Sequence, residues 1–220
     1  MGSLNHIGSP TALRRELFHG GFGAQVMLLM LETWQSFSLN HVGIRRENRL
    51  TALFRDALIK AYVAAGRNWF VTLEDPITDP DYGTELGRND IRFYPPKNCG
   101  QTVYFTVEAK RLRVKTEHGF VHLADKYVKE GIMRFVDCKY SKSIPCGGMM
   151  GYVMDNQISQ AFEAVRKEIA SNCEVLKMQT TKNIQIPSKA LPDYEWSADT
   201  LHDRTNEIFN LYHVLLGVPS

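Results

Sequence analysis

The chain has 220 residues, 44% of them hydrophobic and 23% charged, with a formal net charge of +2. These values suit one soluble domain with a substantial core, and a charge this small does not by itself point to nucleic acid. The longest apolar run, Val26 to Leu31, is far too short to span a bilayer, so no membrane association is expected. Cys99, Cys138, Cys146 and Cys173 form no C-x-x-C pair, and the opening residues do not read as a signal peptide. A reducing, cytoplasmic setting is therefore expected.

Residues 1–10 are rich in Gly, Ser, Asn and Pro and read as a flexible tail. Residues 11–44 read as a helical extension, with a short helix at Leu13 to Phe18 and a second at Ala24 to Phe37. The second is apolar nearly all round, so it is expected to be buried or to pack on a partner chain, in a homodimer or against another subunit. The core then spans residues 45–220. From Arg45 to Ala65 the apolar residues Leu50, Leu53, Phe54, Ala57, Leu58, Ala61, Tyr62 and Ala65 follow helical spacing. Glu47 falls on that stripe near the N-terminal end. Two readings stand for it: a first-turn carboxylate answering the helix dipole, or a coreward carboxylate held by a metal ion.

Asn68 to Leu73 is predicted as a strand, and Glu74 to Gly87 as a polar loop. Ile91–Tyr94 and Thr102–Val107 read as two strands around a turn containing Pro95, Pro96, Asn98 and Gly100. Folding that hairpin brings Asp90, at the start of one strand, beside Glu108 and Lys110 at the end of the other. Glu108 and Lys110 are two apart and so leave the same face. Two close carboxylates repel unless a cation lies between them, and Mg²⁺ is often held by only one or two carboxylates. An adjacent lysine can orient or deprotonate a water or stabilise phosphoryl charge, which suits metal-assisted hydrolysis of a phosphodiester.

Seven basic residues lie between 88 and 115 against Asp90 and Glu108. A basic surface around an acidic pocket favours a phosphate backbone, whereas a charged strand edge is the simpler structural account. Beyond the hairpin, residues 116–120 read as a turn and His122 to Val136 as a helix with Ala124, Val128, Ile132 and Phe135 inward. Tyr127, Glu130 and Arg134 share another face, where Glu130 and Arg134 are expected to form a surface ion pair. A strand is predicted at Met149 to Met154, a helix at Gln157 to Asn172, and one more strand at Val175 to Gln179. Thr180 to Trp196 reads as irregular, and Asn206 to Leu216 as either a strand buried on both faces or a final helix, the strand being favoured. His118, His122, Cys138 and Cys146 fit no standard zinc module. His202, Arg204 and His213 have no assigned role.

Asp90-x(17)-Glu108-Ala109-Lys110, set on two strands after a helix, resembles the PD-(D/E)xK nuclease superfamily. Asn89 stands where the family name has Pro. The resemblance implies an α/β fold of the restriction-endonuclease-like kind: a central mixed sheet flanked by helices, in one domain with the N-terminal helical extension. It implies Asp90 and Glu108 as metal ligands, the Ala109 carbonyl as a further ligand, Glu47 as a metal-side carboxylate and Lys110 as the catalytic lysine. The cofactor implied is Mg²⁺, with Mn²⁺ as substitute, and the partner is double-stranded DNA. Arg88, Arg92, Arg111, Arg113 and Lys115 would steer its backbone, and Tyr127 would contact it from the following helix. The segment His202-Asp203-Arg204 before the last apolar run loosely resembles small bacterial nucleases of phage-defence loci. The rival reading is a non-catalytic subunit that keeps the fold and binds nucleic acid or a protein partner.

Overall fold

The computed structural model describes residues 18, 21–78, 85–95, 103–141, 144–178, 184–204 and 207–219. The expected tail, residues 13–17 and the turn from Pro96 to Gly100 lie outside them. Helix α1 spans Phe22–Asn40 and α2 spans Glu47–Ala64. The hairpin strands β1 (Phe70–Thr78) and β2 (Glu85–Tyr94) follow, then β3 (Phe105–Leu112) and a small hairpin, β4 (Val114–Thr116) and β5 (Gly119–Val121). Residues 124–136 form one continuous helix, α3, whose middle turn, Tyr127–Ile132, is π-helical. Strand β6 (Cys146–Val153), α4 (Ile158–Ser171), β7 (Ile184–Gln185), β8 (Ser197–Arg204) and β9 (Glu207–Gly217) complete the chain.

Seven strands form one mixed sheet in the order β1-β2-β3-β6-β9-β8-β7. The centre, β3-β6-β9, is parallel, and the flanks are antiparallel. Parallel strands are normally covered on both faces, and here both faces are covered. On one side α1 and α2 bury Met27, Met30, Trp34, Leu50, Phe54 and Leu58 against Phe105, Val107, Tyr152 and Val214. On the other, α3 and α4 bury Val128, Ile132, Phe135, Phe162 and Val165 against Met149, Phe209, Leu211 and Leu215. Strand β9 alternates between these two cores, as its apolar run on both faces requires. In β6, Gly147 lets α3 approach: a Cβ there would lie 2.6 Å from Phe135 Cε1.

The nearly all-apolar α1 is thus buried within the chain, with Val26, Met27 and Met30 fully covered by this same fold. Its Trp34 indole N–H donates to the Gly217 carbonyl at 3.1 Å, tying the first helix to the last strand. No helix among the described residues is long and apolar enough to cross a membrane.

Three local expectations are corrected. At both ends, residues 74–78 and 85–87, the stretch expected as a loop from Glu74 to Gly87 instead extends the β1–β2 pairing, with Asp75 opposite Asn89 and Pro76 opposite Arg88. Ladder pairing overrides its weak strand propensity, and β1 is an edge strand, where proline is tolerated. The strand expected from Val175 is a turn: Lys177 has a left-handed φ of 53°, and the Met178 N–H donates to the Cys173 carbonyl. Residues 197–204, not predicted as a strand, form β8. Their polar side chains concealed it, because Asp199, Thr200, His202 and Arg204 are all buried.

Candidate active site

The predicted convergence occurs. Ile91 pairs with Val107, Arg92 with Thr106 and Phe93 with Phe105, so Asp90 follows directly on to the level of Glu108. Beyond this point β2 no longer pairs with β3, and the N–H groups on that edge of β3 need other acceptors. Two carboxylates supply them. Asp90 Oδ2 accepts the Ala109 N–H at 2.7 Å, and Glu47 Oε2 accepts the Arg111 N–H at 2.6 Å. Glu47 is the first residue of α2, so the helix start is pinned to the freed edge of the strand.

Glu108 is fully buried and its two oxygens differ. Oε1 accepts from Lys110 Nζ at 2.5 Å and from Arg134 Nη1 at 2.7 Å. Oε2 is buried and has no hydrogen-bond partner. The Lys110 ammonium also donates to the Ala109 carbonyl at 3.0 Å. It therefore sits across two of the oxygens, Glu108 Oε1 and Ala109 O, that the resemblance assigns to a metal ion. Gly131 in the π-helical turn lets α3 lie close on β6, since a Cβ there would come 2.4 Å from Met149 Cε.

Burial raises the Glu108 carboxyl to about 8, and the Asp90 carboxylate adds to the rise against the pull of Lys110 and Arg134. Burial likewise holds Asp90 above its ordinary range, although Lys110 and the Ala109 N–H lower it. For Lys110 burial works against the charge, but Glu108 and Asp90 outweigh it and raise the ammonium above its usual value. Burial thus holds both carboxyls up in spite of the two cations beside them. Among the described residues no group of three or more His, Cys, Asp or Glu could hold a metal ion. The available donors are two carboxylates and a carbonyl, with one carboxylate oxygen orphaned. This set fits Mg²⁺, which needs few protein ligands and keeps several waters.

Arg134 is the residue that sequence reasoning missed. Instead of forming the expected surface pair with Glu130, it turns inward to Glu108 and also donates to Tyr140 Oη at 2.5 Å. Turns bonded i→i+5 are wider than α-helical ones, so the three-and-four spacing used to pair Glu130 with Arg134 does not hold across Tyr127–Ile132. The same turn corrects Tyr127. It is fully buried, with its hydroxyl 3.1 Å from His213 Nδ1, and cannot touch DNA.

The expected basic tract does not form one surface. Arg113 is buried, bonded to Asp155 at 2.9 Å and to His122 at 3.1 Å, so its role is structural. Arg111 donates to the Arg45 carbonyl at 3.0 Å and lies 4.0 Å from Glu47. Arg92 lies over the Tyr104 ring at 4.4 Å. Lys115 is exposed on the β4–β5 hairpin, and Arg88 lies in β2 with its side chain outside the described set.

A second polar cluster is wholly internal. Tyr127, His213, Thr200 and His202 are hydrogen-bonded in a line that ends on the Leu176 carbonyl, 2.8 Å from His202 Nδ1. A carbonyl only accepts, so His202 carries its proton on Nδ1 and accepts from Thr200 at Nε2. Thr200 in turn accepts from His213 Nε2–H, and His213 Nδ1 accepts the Tyr127 hydroxyl. These are the roles that two neutral imidazoles take along the line. Burial lowers His202 to about 4 and His213 to about 3.

Compared with known protein families, curated proteins and solved structures, the chain finds no match.

Proposed function

We propose that the chain is a divalent-metal-dependent nuclease of the PD-(D/E)xK kind, with a restriction-endonuclease-like sheet, acting as an endodeoxyribonuclease on double-stranded DNA, with anti-phage defence as its setting. One observation supports this most: Glu108 is buried with Oε2 unpartnered, beside Asp90, the Ala109 carbonyl and the Lys110 ammonium. Asp90, Glu108 and Ala109 would hold Mg²⁺ or Mn²⁺, which when bound supplies a water of lowered pKa and neutralises phosphoryl charge. Lys110 orients the attacking water and stabilises charge on the scissile phosphate. Arg134 fixes the Glu108 carboxylate and adds a second positive charge beside the phosphate.

The test is degradation of supercoiled plasmid with Mg²⁺ or Mn²⁺, repeated with EDTA and with Lys110→Ala. Cleavage by the wild type that is lost in both controls, with the variant still folded and DNA-binding, is the expected result. Full cleavage in EDTA or by Lys110→Ala removes the mechanism.

A second reading has its own observation. Asp90 and Glu47 cap the free edge of β3, a task that needs no catalysis. A chain in which that is their only role is a non-catalytic binding subunit, inert in the plasmid assay under every metal.

A further inference from the structure

The freed edge of β3 carries cations on both faces. Glu108 and Lys110 leave it towards α3, where Arg134 shares the Glu108 carboxylate with the lysine. Ala109 and Arg111 leave it on the other face, and Ala109 is packed in the core under α1 and α2. The Arg111 guanidinium donates to the Arg45 carbonyl at 3.0 Å, while the Arg111 N–H holds Glu47 at 2.6 Å. These two bonds fix the start of α2 against the strand edge. Arg45 and Arg46 lie just before that helix and Arg49 in its first turn, and all three are exposed. Among the described residues none of the three pairs with a carboxylate.

Cations at a helix start oppose its dipole, so these arginines do not help α2 to form. With Arg111 they make four guanidinium groups beside one carboxylate, Glu47, whose Oε2 already takes a backbone N–H. One small anion would answer only part of that charge, whereas a phosphodiester backbone presents a negative charge at every nucleotide. The charge also continues across the edge to Lys110 and Arg134. Between the two sets, Asp90 and Glu47 hold N–H groups two residues apart, about 7 Å along the strand. We propose that Arg45, Arg46, Arg49 and Arg111 hold the phosphodiester backbone of DNA on the α2 side of Asp90 and Glu108, through phosphates and without reading bases. This surface takes the place of the basic tract expected between residues 88 and 115. That the held strand is cut rests on the nuclease reading; the docking surface does not. An anionic membrane could use the same arginines together with Leu39 and Val42, which are exposed just before them. The continuation of charge to Lys110 and Arg134 around Glu108, a polar group a bilayer has no use for, favours the nucleic acid.

Binding of two labelled duplexes of unrelated sequence is measured in EDTA by fluorescence anisotropy across a salt series. Each phosphate contact contributes about 0.9 to the slope of log affinity against log salt. The triple variant Arg45→Gln, Arg46→Gln, Arg49→Gln should lower that slope by roughly three on both duplexes, and lysine at the same three positions should restore it. The triple variant Lys60→Gln, Lys167→Gln, Lys177→Gln removes as much exposed charge elsewhere and should leave the slope unchanged. An unchanged slope in the arginine variant overturns the proposal, even if the wild type cuts plasmid. So does a loss confined to one duplex, which would mean base reading. So does a wild type that binds phosphatidylserine vesicles but no duplex. The expected fall in slope, seen in a protein unable to cleave with any metal, upholds the surface while removing the nuclease reading.

Discussion

Arg134 and Glu108 lie 26 positions apart in sequence, yet Arg134 Nη1 sits 2.7 Å from Glu108 Oε1. The guanidinium shares that oxygen with Lys110 Nζ, so one buried carboxylate oxygen takes two charged donors. Charge-assisted bonds of this kind fix a side chain more firmly than neutral ones. Arg134→Ala should lower the plasmid-cleavage rate by about two orders of magnitude, the usual scale for losing one positioned charge donor. Its melting temperature should fall only modestly, because Lys110 still donates to the same Glu108 oxygen. An unchanged rate in a folded variant would restrict Arg134 to a structural role.

Asp90 tests whether the carboxylate acts by charge or by capping. Asp90→Asn keeps an oxygen to accept the Ala109 N–H, whereas Asp90→Ala orphans that donor. The alanine variant should lose roughly 1–3 kcal/mol of stability and the asparagine variant much less. Both should lose cleavage if the charge holds a metal. Chemical denaturation and the plasmid assay, run on the same two proteins, read the two roles separately. Cleavage retained by Asp90→Asn would leave Asp90 as a cap alone.

Metal binding has a readout that does not need catalysis. A ligand that binds only the folded state stabilises it, by about 2.7 kcal/mol at a hundredfold excess over Kd. Titrating Mg²⁺ into the wild type should raise the melting temperature, and Glu108→Gln should abolish the rise. Equal rises in the two proteins would mean the ion binds elsewhere.

Acid should unfold the protein through His202 and His213. Their folded pKa values, about 4 and about 3, lie below the ordinary imidazole value, so the fold disfavours the protonated ring. Stability from this source is complete above about pH 6.5 and is lost as pH falls toward 4 and then 3. Asp90, Glu108 and Asp199 are raised instead, so protonating them in acid favours the fold and cannot cause the loss. Urea midpoints should therefore drop between pH 6.5 and 4. His213→Gln, although less stable at neutral pH, should show a shallower drop. An equally steep profile in that variant would place the acid sensitivity elsewhere.

The sequence by itself determined the local part of this protein. Turn chemistry between two β-branched and aromatic runs specified the β2–β3 pairing, and the two-residue period put Glu108 and Lys110 on one face with Asp90 beside them. Helical spacing identified α2 and α4, and an apolar run on both faces identified β9, because these patterns are written within a few residues of one another. What tertiary structure decided was the pairing of groups distant along the chain. It buried the polar strand β8, supplying Ser188 and the Lys189 N–H for Asp199 and His213 for Thr200. It turned Tyr127 inward and Arg134 onto Glu108 through a π-helical turn that three-and-four spacing does not describe. It also gave Asp90 and Glu47 the edge of β3 to cap, because the departure of β2 leaves donors there that only residues from elsewhere in the fold can satisfy.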